Sequence, residues 1–97
     1  MTMHNPPHPG EFISEVYLEP NSLSGRELAV SLGVSPSTLN RLLNGSTGIS
    51  PSMALRLSKV LGRSAESWLA MQTKYDLWQA RKTVKLERIK KIELTAV

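Results

Sequence analysis

The 97-residue chain contains no cysteine, which excludes disulfides, thiolate metal sites and a cysteine nucleophile. It also lacks any apolar run approaching about 18 residues and any secretory signal, so the expectation is a soluble cytosolic protein without a membrane segment. No P-loop, no Gly-x-Ser-x-Gly and no paired acid cluster is present, and no motif for a cofactor. His4 and His8 have the i, i+4 spacing of metal ligands, but prolines flank them and no carboxylate or cysteine stands with them; a metal is not expected. Enzymatic readings therefore find no support. The acidic side is also thin: twelve Lys and Arg against eight Asp and Glu give a net charge of +4, compatible with a nucleic-acid partner but too modest to indicate one. There are no internal repeats and no low-complexity stretch.

A chain this short is one domain, burying about two-thirds of the surface its unfolded form exposes. Its most informative stretch is residues 24–45, SGRELAVSLGVSPSTLNRLLNG, which reads as two short helices joined by a three-residue turn. Ser24 followed by Glu27 is a capping box that starts a helix at Gly25. Leu28 and Leu32 form its apolar face, and small Ala29 lets a second helix cross closely. Gly33 stops the first helix by taking the left-handed conformation. Ser35 and Pro36 then open the next as N-cap and first helical residue, with Leu39, Leu42 and Leu43 on its core side, ending at Asn44-Gly45.

Around this pair the spacing predicts three further helices. The first starts at Pro9 with Phe12, Ile13, Val16 and Tyr17 on one side, and stops before Pro20. A fourth follows the Ser50-Pro51 cap, with Met53, Leu57, Val60 and Leu61 as its apolar side. Ser64 caps a fifth over residues 65–83. Residues 1–8 are expected to be flexible, residues 9–80 to form the domain, and residues 81–97 to form a basic tail. Val84 and Leu86 alternate as in a strand whereas Ile89 and Ile92 have helical spacing, which leaves a short strand or a frayed extra helical turn open.

These residues resemble the Cro/repressor-like helix-turn-helix (XRE) family. HPGEFISEVYLEP before the motif and LNGSTGISPSMALRLSKVLG after it are similar to HigA-type antitoxins, over roughly residues 8–78. The resemblance implies an all-α, five-helix bundle that binds an operator in double-stranded DNA. It implies a homodimer that represses transcription, and a second partner, a small ribosome-dependent mRNA-cleaving toxin encoded nearby. Two alternatives remain open: a stand-alone repressor, and a protein-interaction adaptor that kept the fold without DNA binding.

A recognition helix lays its N-terminal residues against base edges in the major groove. Pro36, Ser37, Asn40 and Arg41 face away from the core side and are the base-contact candidates. Arg41 suits guanine O6 and N7, and Asn40 adenine N6 and N7, because each offers two suitably spaced polar atoms. Phosphate contacts need short donors and helix N-termini. Ser24, Gly25, Arg26, Thr38, Asn44, Ser46, Thr47 and Ser50 fit by position. The family often carries glutamine where Gly25 and Pro36 stand, so serines, arginines and backbone amides must do more here. Trp68, Tyr75 and Trp78 on the fifth helix are candidate dimer or partner contacts. Arg81, Lys82, Lys85, Arg88, Lys90 and Lys91 crowd into eleven residues with only Glu87 against them. They read as a solvated face, a nonspecific DNA flank or a surface for an acidic partner.

Overall fold

Serine and proline punctuate the helices as their spacing predicts. A computed structural model describes residues 5–95; residues 1–4 of the N-terminal segment, with His4, and residues 96–97 of the tail lie outside it. Among the described residues there are five α-helices, one π-helical turn and no strand. Helix α1 (Pro9–Ile13) runs into a π-helical turn (Ser14–Leu18), and α2 (Gly25–Leu32), α3 (Pro36–Leu43), α4 (Pro51–Leu61) and α5 (Ala65–Thr83) follow. Ser24, Ser35, Ser50 and Ser64 each accept the backbone N–H three residues on, at 3.0, 3.1, 3.1 and 3.0 Å. These are the four N-caps named from sequence. No helix among the described residues is long and apolar enough to cross a membrane.

Ile13, Leu28, Ala29, Leu39, Leu42, Ala54, Leu57 and Trp68 make a continuous, almost fully buried core. Two assignments to the apolar faces change. Val16 is exposed because the chain widens at the π turn: Glu19 N–H bonds the Ser14 carbonyl and Leu23 N–H the Leu18 carbonyl, both at 2.9 Å and both five residues back. That wider turn sends Ile13 and Leu18 into the core and Tyr17 half-way in. Val60 is also exposed, since the buried stripe of α4 runs through Met53, Ala54, Leu57 and Leu61 and leaves it beyond the edge.

The C-terminal end departs from expectation, and near the other end His8 is half-buried. The His8 ring caps α1 by accepting the Gly10 N–H at Nδ1, 2.9 Å, and meets Tyr75 edge-on with 4.9 Å between ring centroids. Beyond Thr83 the tail forms neither the strand nor the extra helical turn. Val84, Leu86, Ile89, Ile92 and Leu94 are exposed, and one turn closes through Ile89 N–H to the Leu86 carbonyl at 3.0 Å. An all-helical body offers no strand edge on which such a segment could pair its backbone groups.

Of the glycines, Gly10 lies closest to a neighbouring element. A Cβ there would collide with the Leu42 carbonyl oxygen and lie 2.8 Å from Leu43 Cα, so the backbone of α1 rests directly on the last turn of α3. Gly10→Ala should cost about 1–3 kcal/mol, because a methyl group meets rigid backbone and not a yielding side chain. Thermal unfolding measures this, and an unchanged midpoint would contradict the contact.

Candidate nucleic-acid interface

Helix α2 is fixed at both ends. At its start the Ser24 N–H donates to Glu27 Oε1 at 2.8 Å while Ser24 Oγ accepts the Glu27 N–H at 3.0 Å. The Ser24 N–H, and after it the Ser24 hydroxyl, hold the Glu27 carboxyl below the usual carboxylate range. At its end Gly33 takes φ +72°, and Arg56 of α4 donates through Nη1 to the Leu32 carbonyl at 2.7 Å. A cation on a helix C-terminus meets the negative end of the dipole as well as an unpaired carbonyl. The turn into α3 is thus held from a third helix.

Helix α3 buries Leu39 and Leu42 and leaves Pro36, Ser37, Asn40 and Arg41 exposed on the other side. Arg41 Nη1 donates to Ser37 Oγ at 3.0 Å, which lays the guanidinium along that face. Ser35 donates its hydroxyl to Thr38 Oγ1 at 2.9 Å. The start of α2 adjoins the same face: a Cβ on Gly25 would stand 4.0 Å from Asn40 Oδ1. Ser24, Gly25 and Arg26 therefore flank the base-contact candidates on one side.

The loop of residues 44–50 continues from the end of α3. Asn44 Oδ1 accepts the Ser46 N–H at 3.0 Å and its hydroxyl at 2.7 Å, and the Arg41 carbonyl takes the Ser46 and Thr47 N–H groups at 2.8 and 3.1 Å. Ser46 thus turns both donors towards Asn44 and Arg41 and shapes the loop. Thr47 is exposed, and Ser50, though its oxygen caps α4, keeps its hydroxyl hydrogen. The face presents short donors around a central helix with amide and guanidinium groups, an arrangement suited to a polyanion with readable edges.

The helix-turn-helix family model HTH_3 matches residues 16–68, more than half of the chain. A solved structure of a HigA-family addiction-module antidote protein from Coxiella burnetii aligns over 93% of this chain and 100% of its own, with TM-score 0.85 and 33% identity. The chain belongs to the HTH_3 helix-turn-helix family and is of HigA type. The antitoxin GraA in complex with its operator aligns over 100% of this chain and 98% of its own, with TM-score 0.82 and 35% identity. The transcriptional regulator YddM of Escherichia coli is 41% identical over 92 residues, 95% of this chain and 97% of that one. The family is one of DNA-binding regulators and antitoxins and not an enzyme class.

Within this HigA-type fold the aromatic residues of α5 divide. Trp68 is no surface contact: it is 0% exposed, donates its indole N–H to the Gly62 carbonyl at 2.9 Å and packs edge-on to Phe12. It sits in the first turn of α5, where that helix crosses α1. Tyr75 and Trp78, farther along, are half-buried with ring centroids 6.1 Å apart, and Lys82 Nζ lies 3.6 Å from the Trp78 centroid. Sequence reasoning missed Arg56, Gln72 and the buried Ile49. The signal for Gln72 was its phase, four residues after Trp68 on the buried stripe of α5.

Arg41→Ala should lose about 1–3 kcal/mol of affinity for an operator and much less for random DNA, the pattern that base readout would give. Equal losses on both DNAs in parallel titrations would assign Arg41 to phosphate. A carboxyl whose pKa is depressed in the folded state stabilises while ionised, and that contribution is lost as pH falls through the folded value. The first-turn amides of α2 should accordingly lose exchange protection towards acid, whereas Glu27→Gln, which keeps the acceptor but cannot titrate, should flatten that dependence. Identical acid profiles for the two proteins would remove the capping box from the account.

Proposed function

We propose that this chain is the antitoxin and autorepressor of a bacterial toxin–antitoxin pair. As a homodimer in the cytoplasm it lays two copies of α3 into successive major grooves of its own promoter. The same chain binds and neutralises a small ribosome-dependent mRNA-cleaving toxin encoded beside it. The observation that carries the DNA half is the exposed face of Pro36, Ser37, Asn40 and Arg41, in a fold that aligns over its whole length with GraA in complex with its operator. An adaptor that does not touch DNA has no use for a guanidinium laid along that face by Ser37. Pro36 brings no hydrogen-bond donor, so in this reading it supplies only apolar contact, and Asn40 and Arg41 carry the specificity.

The antitoxin half rests on likeness to the HigA-family antidote protein and to GraA, and on surface left over outside the motif: the half-buried Tyr75 and Trp78 and the exposed apolar and basic tail. Inhibition by occlusion needs no catalytic group. A stand-alone repressor is the second reading, favoured by 41% identity to YddM, which is named a transcriptional regulator.

Co-expression with the product of the neighbouring reading frame separates the two. The antitoxin reading predicts that the neighbour alone arrests growth, that the pair restores it, and that both proteins travel together on a sizing column at micromolar concentration. A harmless neighbour, or two separate peaks, would leave only the repressor.

A further inference from the structure

The loop of residues 44–50 is tied to α3 at its start by Asn44 and by the Arg41 carbonyl, but its second half is tied from α5. The Ile49 N–H donates to Gln72 Oε1 at 2.8 Å, across 23 residues of sequence. Gln72 is the one buried polar side chain among the described residues, 8% exposed. Its amide nitrogen donates to Asp76 Oδ1 at 2.9 Å, which fixes the orientation of the amide. With oxygen and nitrogen exchanged, two donors would face each other at Ile49. The loop lies flat on this amide, for a Cβ on Gly48 would stand 2.7 Å from Gln72 Cδ.

We propose that Gln72 is a positioning residue for DNA binding: held by Asp76, it fixes from α5 the height at which Thr47, Ser50 and the start of α4 meet the phosphate backbone. This rests on the DNA-binding reading above. Without the acceptor, a buried N–H loses its partner, and the loop regains it only by lifting into water. The α3 face is tied separately, through Arg41 to Ser37 and through Ser35 to Thr38, so base readout survives while phosphate contact weakens.

The test is a fluorescence anisotropy titration of two labelled duplexes, the promoter region upstream of the chain's own gene and a scrambled sequence, at several salt concentrations. Gln72→Ala should weaken binding to both by about tenfold, preserve their ratio, and make the salt dependence shallower by about one unit of slope. Gln72→Glu keeps the acceptor but sets two carboxylates together and should also weaken binding. Adding Asp76→Asn lets an amide at 76 donate to the new carboxylate, reversing the polarity of the pair, and should bring affinity back to within about twofold of the parent. If Gln72→Ala does not fold, the single and double Glu substitutions carry the same comparison. Gln72→Ala binding like the parent, or no rescue by the double substitution, would overturn the inference while leaving the DNA-binding reading intact. A parent that binds neither duplex would overturn both.

Discussion

The backbone contact between α1 and α3 at Gly10 is the constraint on which the rest of the reading face depends. A helix as short as α3 has little stability of its own, because isolated helices below about 12–15 residues are marginal in water. Its orientation must come from packing. Leu39 and Leu42 seat it in the core, Ala29 admits α2 alongside, and Gly10 lets α1 close on its last turn with no side chain between them. Backbone cannot change rotamer, so this seat has little give. A hydrophobic pair in the same place would allow the helix to rock, and with it Asn40 and Arg41.

Polar groups then finish what the core begins. Each serine N-cap contributes about 1 kcal/mol to its helix. That of α2 also brings its helix start, with positive partial charge and short hydroxyls, beside Asn40 of α3. Two tethers come from outside the motif: Arg56 of α4 on the Leu32 carbonyl, and Gln72 of α5 on the Ile49 N–H. Both reach backbone atoms, so both set where the chain runs. The helix-turn-helix is in this sense a two-helix device held by the other three.

The motif and its caps were legible because local rules decide them. Ser-x-x-Glu, Gly after Leu32 and Ser-Pro at two helix starts act within a few residues, and the structure follows them to the residue. What escaped depends on distant partners. The π turn is invisible in the periodicity of Phe12, Ile13, Val16 and Tyr17, since its wider register shows only in the backbone bonds. Trp68 and Trp78 look alike in sequence, yet only Trp68 falls where α5 crosses α1. Serines such as Ser46 look like free donors until the loop closes on Asn44. The tail alternates like a strand but finds no edge. Spacing predicts elements well, and says little about which polar atoms remain free once those elements meet.

The central claim is that α3, presented in duplicate, reads a symmetric operator. Hydroxyl-radical footprinting of the promoter upstream of the chain's own gene tests it most directly. Two protected patches on one side of the duplex, with centres about 34 Å or one helical turn apart, are the result this account predicts. A single patch, or uniform protection that follows protein concentration without regard to sequence, would contradict it.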